Sequence, residues 1–254
     1  MAERVAVIAQ ARMGSSRLPG KVLKTVGDRT VVAHVLSRAQ AIAGVDVVCC
    51  ATTTDPSDDI LAEEAARTGS KVYRGSPDDV LDRYVQAAAM LDATIIMRIT
   101  CDCPLLDPFV CADLIRLRQA KQADYAATNL TATWPHGLDC EIFTAAALRE
   151  AHVKAHTPYE KEHVTPWMRN NPQLLKISLD GPGGDAASMR WTLDYPEDFA
   201  FLQALAGKCN LREIMRWQDI AAVIKKNPEL LAINQIRTRG GRPGSHSQSA
   251  APSV

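Results

Sequence analysis

Three cations sit among small residues in an eleven-residue stretch, Ala11 to Lys21 (A-R-M-G-S-S-R-L-P-G-K), directly behind the apolar run Val5-Ala6-Val7-Ile8-Ala9. Small side chains let backbone N–H groups close on an anion, while Arg12, Arg17 and Lys21 can neutralise a polyphosphate and the charge that develops as it is cleaved. The chemistry this points to is binding of a nucleoside triphosphate; the same composition also describes a solvated basic turn. Two familiar phosphate loops do not fit. A P-loop sets four residues between its first Gly and its Gly-Lys pair and then Ser or Thr, whereas five separate Gly14 from Gly20 and Val22 follows Lys21. The dinucleotide fingerprint G-x-G-x-x-G is absent from this position as well.

Two aspartates stand where a metal would be held. The run Ile95-Ile96-Met97-Arg98-Ile99-Thr100 ends in Cys101-Asp102-Cys103-Pro104, and Arg190-Trp191-Thr192-Leu193-Asp194 ends before Tyr195-Pro196. Each places an acid just past a short apolar segment. Asp194 alone reads equally well as a helix N-cap, with Pro196 in the first turn. Mg²⁺ takes only one or two protein carboxylates and completes its octahedron with water and phosphate oxygens, so two aspartates facing the basic loop would suffice.

Further polar segments follow other apolar runs. Arg74-Gly75-Ser76-Pro77-Asp78-Asp79-Val80-Leu81-Asp82-Arg83-Tyr84 follows an apolar run, opens a helical pattern and could grip base or ribose. Pro135-His136-Gly137-Leu138-Asp139-Cys140-Glu141 groups His136, Asp139 and Glu141, which could meet a hydroxyl or carboxylate; a turn histidine and an outward strand glutamate are the plain alternatives. Glu160 and His163 share one helix face at three-residue spacing, as a solvated pair does. Seven cysteines, including the apolar Cys49-Cys50 and the pair Cys101 and Cys103, lack the C-x-x-C spacing of structural zinc and read as reduced thiols.

The elements that must position these residues alternate. Apolar strand-length runs occur at Val5–Ala9, Val45–Ala51, Val72–Arg74, Thr94–Thr100 and Asp124–Ala127, separated by helical periodicity over Val31–Ala43, Ser57–Thr68, Asp78–Leu91 and Pro108–Gln122. That pattern predicts a mostly parallel sheet covered on both faces, with ligands at the carboxyl ends of the strands. After Asn129 the pattern becomes α+β, with strands expected at Glu141–Phe143, Leu175–Leu179 and Met189–Leu193. The stretch from Thr238 to Val254 has little to bury and reads as a disordered tail. Basic and acidic residues balance at 29 each in 254 residues, so no long-range field would gather nucleic acid or an anionic membrane. No apolar stretch approaches a bilayer span, and the first residues read as a strand where a signal peptide would be basic; the cytoplasm is the expected location.

Six strings in one order, A-R-M-G-S-S-R-L-P-G-K-V-L, R-G-S-P-D-D-V-L-D-R-Y, R-I-T-C-D-C-P-L-L-D, P-H-G-L-D-C-E, E-H-V-T-P and R-W-T-L-D-Y-P-E-D, resemble the cytidylyltransferase-like family. The branch is that of spore coat polysaccharide biosynthesis protein F, related to acylneuraminate and 3-deoxy-manno-octulosonate cytidylyltransferases, and the likeness runs from about Val5 to about Phe201. It implies an α/β three-layer, Rossmann-like nucleotide-diphospho-sugar transferase fold with a mixed, mostly parallel sheet. One nucleotidyltransferase domain would span 1–237, a nucleotide half to about residue 128 and an acceptor-binding and dimerising half beyond it.

The resemblance further implies Mg²⁺-dependent transfer of CMP from CTP to an acidic sugar or another small acid, including a phosphonate or phosphate monoester, with pyrophosphate leaving and a homodimer as the working form. Arg12, Lys21, Asp102 and Asp194 would be catalytic, and Asp102 and Asp194 would hold the metal. Ala9, Ala11, Arg12, Met13, Gly14, Ser15, Arg17, Lys21, Arg74, Gly75, Ser76, Asp79, Thr100 and Asp102 would line the nucleotide. His136, Asp139, Glu141 and His163 would bind the acceptor. The family usually has Gly where this chain has Cys101, whose side chain could narrow the approach. A glycosyltransferase of the same fold is the alternative; it would use a nucleotide-sugar and an Asp-x-Asp metal motif, whereas Cys103-Pro104 follows Asp102 here.

Overall fold

The structure, a computed structural model, describes residues 3–237; the tail expected at 238–254 lies outside the described residues. In chain order, β1 (Val5–Gln10) leads through the basic loop to a small hairpin, β2 (Thr25–Val26) and β3 (Arg29–Thr30), and then to α1 (Val31–Gln40). The alternation continues with β4 (Val47–Thr53), α2 (Asp59–Arg67), β5 (Lys71–Gly75), α3 (Val80–Met90), β6 (Ile95–Thr100), α4 (Pro108–Lys121) and β7 (Tyr125–Ala127). The second half adds β8 (Glu141–Thr144), α5 (Ala145–Lys154), α6 (Pro158–His163), α7 (Pro166–Asn170), β9 (Lys176–Ser178) and α8 (Gly184–Ser188). It finishes with α9 (Pro196–Ala206), α10 (Trp217–Lys226) and α11 (Glu229–Asn234).

One sheet of seven strands, in the order β5-β4-β1-β6-β8-β7-β9, carries the fold, and only β8 runs against the rest. The two halves foreseen from the sequence therefore share a sheet, with β8 of the second half inserted between β6 and β7 of the first. The strands are covered on both faces, which explains their continuous apolar character. Val5, Val7 and Ala9 of β1 pack beneath α1, α2 and α4. Ala6 and Ile8 face α3, α5 and α7. A third apolar cluster, built on Val26, Trp191, Phe201 and Leu202, joins the hairpin to α9, α10 and α11.

Local chemistry sets several boundaries. Thr30 accepts from Ala33 N at 3.2 Å to start α1, Asp79 from Asp82 N at 2.8 Å to start α3, and Asp107 from Phe109 N at 2.7 Å to start α4. Thr157 and Glu160 form a reciprocal capping box at α6. The strand expected over Met189–Leu193 does not form: that segment makes a single bridge, Arg190 to His136, and otherwise docks on loops. No helix among the described residues is long and apolar enough to cross a membrane.

Candidate active site

Strand order creates the site. β1 lies between β4 and β6, all parallel, and Gln10 of β1 is in register with Thr100 of β6. The chain leaves β1 toward β4 on one side and meets β6 on the other, a switch point at which a crevice opens beyond the carboxyl ends. The basic loop and the Asp102 turn therefore emerge side by side. The crevice is a cleft of about 410 Å³.

The loop is fixed at several points. Met13 N donates to Asp58 Oδ1 at 2.7 Å, Ser15 N and Gly20 N both donate to Met13 O, and Leu18 is buried in the third cluster. Gly20 sits at φ +65°, a left-handed conformation that lets the loop turn back into the short helical turn Lys21–Leu23. Gly14 carries no such demand, since a Cβ there would meet nothing within 4 Å.

Lys21 is the centre of the site. Its Nζ lies 2.8 Å from Asp102 Oδ2, 2.8 Å from Asp194 Oδ1 and 2.8 Å from Leu193 O. Burial opposes the ammonium, but the two carboxylates outweigh it and raise its pKa. Burial also opposes the Asp102 carboxylate, yet Lys21, together with donors on Thr100 and Cys103, holds it down at about 2. Arg17 Nη2 reaches Asp194 Oδ1 at 2.8 Å, and Arg190 Nη2 approaches its other oxygen at 3.4 Å.

Asp194 is delivered by docking rather than by a strand. Leu193 N donates to Asp102 O at 2.7 Å and Thr192 Oγ1 to the same oxygen at 3.2 Å, so the two acidic turns are joined through their backbones. Asp198, 0% exposed, takes Asp194 N and Tyr195 N at 3.0 Å each and Arg190 Nε at 2.7 Å. Asp194 is thus no N-cap; Tyr195 holds that position and Asp198 answers its backbone. From behind, Trp191 N donates to His136 O and His136 N to Met189 O. Gly137, at φ +116°, permits this closeness, because a Cβ there would stand 2.7 Å from Trp191 C.

The sequence-predicted residues divide accordingly. Ala11, Arg12, Gly14, Ser15, Arg17, Lys21, Thr100, Asp102, His163 and Asp194 all line the cleft. Arg12 lies on its rim, 3.6 Å from Glu162. His163 stands beside Glu162, and burial, only partly offset by Glu162, lowers its pKa so that neutral imidazole faces the cleft.

Other candidates are placed elsewhere. Ala9 is fully buried under α1, and Met13 packs against the same layer. Arg74 donates to Thr53 O and Asp55 O and pairs with Asp59, while Asp79 caps α3 and pairs with Lys161; neither they nor Gly75 and Ser76 line the cleft.

The group expected to meet the acceptor is corrected most sharply. Glu141, 1% exposed, is enclosed by Arg98, Arg169, Tyr125 and Thr165, and burial is overridden by the two arginines to leave its pKa at about 2. It braces β6, β7 and β8 and is closed to ligand. His136 turns to Arg190 Nη1 at 3.2 Å, and Asp139 accepts from Gly137 N at 2.9 Å; both support the Asp194 segment. Cys101 lines the cleft floor, and its side chain packs into the apolar layer beneath, at 1% exposure, leaving the approach open. Sequence reasoning gave no role to Gln10 and Glu162, which also line the cleft, as does Arg83 from the segment read as gripping base or ribose. Strand alternation beyond Ile8 was the available signal for Gln10.

Asp102 and Asp194 are the carboxylates that could hold a divalent cation here, since Mg²⁺ takes only one or two protein carboxylates. No group of three or more His, Cys, Asp or Glu side chains converges on one point among the described residues, so the donor set is not that of a caged structural ion.

A family model described as cytidylyltransferase matches residues 6–220. The spore coat polysaccharide biosynthesis protein SpsF of Bacillus subtilis is 32% identical over 229 residues, covering 87% of this chain and 94% of that protein. A 3-deoxy-manno-octulosonate cytidylyltransferase of Anaeromyxobacter dehalogenans is 39% identical over 107 residues, 41% of this chain and 43% of its own. The solved structure of a cytidylyltransferase from Leptospira borgpetersenii superposes with a TM-score of 0.85 at 32% identity, covering 90% of this chain and 97% of the other.

Proposed function

Because this chain belongs to the cytidylyltransferase family, we propose that it transfers CMP from CTP, with Mg²⁺, to an acidic sugar or another small acid and releases pyrophosphate. The observation that carries the reading is the meeting of Asp102, Asp194 and Arg17 around Lys21 at the mouths of β1 and β6. The acceptor class is supported by the 3-deoxy-manno-octulosonate cytidylyltransferase relative and by the polysaccharide biosynthesis role in the name of the Bacillus protein. A phosphonate or phosphate monoester would present the same anionic oxygens to the cations of the cleft.

The transfer is a displacement at the α-phosphorus. An acceptor oxygen attacks in line, its bond to phosphorus forms as the bond to the bridging oxygen breaks, and the electron pair leaves with pyrophosphate. Lys21 and Arg17 neutralise charge on the triphosphate and on the departing group, in a site that fixes them before the reaction begins. Asp102 and Asp194 would hold Mg²⁺, which supplies Lewis-acid polarisation and charge neutralisation at the phosphate oxygens when bound. Thr100, donating to Asp102, fixes the orientation of that carboxylate. At the rim, neutral His163 can accept a hydrogen bond from an acceptor hydroxyl and Arg12 can pair with its acid group. The glycosyltransferase alternative gains no support from the second acid position of an Asp-x-Asp motif, which Pro104 occupies.

Cytoplasmic residence and a homodimer joined through the second half belong to the same reading; exposed Val153, Tyr159 and Leu175 lie there. The experiment is direct. The full chain is incubated with Mg²⁺, each nucleoside triphosphate and a panel of sugar acids, phosphonates and phosphate monoesters, and pyrophosphate and the CMP conjugate are measured. Release is expected with CTP and one acceptor class. Turnover of a nucleotide-sugar without pyrophosphate would replace the reading with glycosyl transfer.

A further inference from the structure

Three arginines from separate parts of the chain gather on one aromatic ring. Tyr195 is the N-cap residue of α9, and its backbone N is held by Asp198 Oδ2 at 3.0 Å. The guanidinium carbons of Arg17, Arg190 and Arg237 lie 5.0, 5.7 and 4.1 Å from the centroid of its ring. Each of these cations is paired with an acid: Arg17 with Asp194, Arg190 with Asp198 and Arg237 with Glu197. Glu197 and Asp198 both belong to the first turn of α9. The helix therefore fixes the ring and two of the cations, and Arg17 comes to them from the basic loop.

Arg17 needs such a support. Its side chain is long and 52% exposed, and an exposed ion pair gains little over the entropy of holding a long side chain still. Its bond to Asp194, at 2.8 Å, is also shared, because the same oxygen accepts from Lys21. A ring face makes no competing claim. It attracts the cation through its electron cloud and leaves the N–H donors free for phosphate oxygens. The Tyr195 hydroxyl adds little, since Arg17 Nη1 reaches it only at 3.5 Å.

We propose that Tyr195 is a positioning residue for the transfer: its ring holds the Arg17 guanidinium on the Asp194 side of the cleft, with donors free to meet the triphosphate. The inference rests on the CTP reading above and adds a residue that touches no reacting atom and acts through Arg17. Removing the ring therefore costs what the placement of Arg17 contributes, and costs nothing once Arg17 is gone. A Tyr195 that only stiffened α9 or carried Asp194 would cost the same with or without Arg17.

The test is a double-mutant cycle on the full chain, with MgCTP affinity read by calorimetry and thermal unfolding measured for each variant without nucleotide. Arg17→Met is expected to weaken MgCTP binding by about tenfold or more, the scale of a lost charged hydrogen bond, and Tyr195→Leu by about three- to tenfold. The double variant should bind as Arg17→Met alone does. Tyr195→Phe, which keeps the ring, should restore most of what Tyr195→Leu loses. Ring-fluorinated phenylalanines at position 195 keep the shape and drain the negative face, so affinity should fall stepwise with fluorination, and only where Arg17 is present. Additive losses in the double variant overturn the proposal. So does a Tyr195→Phe as weak as Tyr195→Leu, or an affinity unmoved by Tyr195→Leu. If Tyr195→Leu does not fold, the fluorinated series decides alone, and an absent trend overturns the proposal. A wild-type chain that does not bind MgCTP would instead overturn the function proposed above, so the two failures are separable.

Discussion

Asp102 and Asp194, far apart in the chain, meet at one ammonium: each places a carboxylate oxygen 2.8 Å from Lys21 Nζ. Lys21 and Arg17, which also pairs with Asp194, balance the two carboxylates; under the proposed function, triphosphate oxygens would be alternative partners for both cations.

Replacing Asp102 by Asn keeps the shape and removes the charge. Pyrophosphate release is expected to fall by about 10²–10³-fold, the scale for removing one preorganised group at a developing charge. Circular dichroism should remain that of the wild type, and calorimetry should record weaker Mg²⁺ binding in the presence of CTP. Retained turnover would remove Asp102 from the mechanism.

Lys21→Met has a pH signature of its own. In the wild type the lowered Asp102 pKa gives stability that is present above the ordinary value of 3.8 and lost as pH falls toward about 2. Without the ammonium, burial and the nearby Asp194 are left to act, and the Asp102 pKa is expected to rise by one unit or more. Carboxylate titration followed by NMR measures it, alongside a loss of turnover of about 10²-fold.

Glu141→Gln is expected to destabilise the fold, by about 3–5 kcal/mol, because it leaves Arg98 and Arg169 buried without their shared anion. Urea unfolding measures this. Nucleotide affinity per folded molecule should stay at the wild-type value. In the wild type, Glu141 contributes stability present above its ordinary 4.5 and lost as pH falls toward about 2. The acid limb of the stability profile should therefore flatten over that interval in the variant.

Gly137→Ala puts a methyl group where Trp191 C would stand 2.7 Å away and forces a non-glycine residue to φ +116°. The segment carrying Asp194 must shift. Turnover is expected to fall about 10²-fold, since displacement of a reacting group by an ångström costs that much. Gly14→Ala is the control for folding alone, with no protein atom near its Cβ and no positive φ, and should fold as the wild type does.

Most of the first half was legible because its strands are buried on both faces and its helices follow a clean apolar period. The strands expected at Val5–Ala9 and Thr94–Thr100 form at Val5–Gln10 and Ile95–Thr100, and the helix expected at Val31–Ala43 forms at Val31–Gln40. The second half was less legible because its pieces are held by tertiary docking. Met189–Leu193 has a strand's composition, yet its backbone groups go to Ala186, His136 and Asp102 rather than to a ladder. Glu141 was misread for a related reason: a strand glutamate carries no mark of whether two arginines from other elements will close over it.

By itself the sequence determined which chemistry is available: cations in a short loop, acids just beyond apolar segments, and an alternation that places strand ends together. Those are local properties, set by side-chain type and period. Tertiary structure alone decided which of them meet, because that depends on strand order, on the register of Gln10 with Thr100, and on the backbone contacts that carry Asp194 to Asp102. It also decided which polar atoms are already satisfied, as at Glu141, and which distant cations gather on one ring, as at Tyr195.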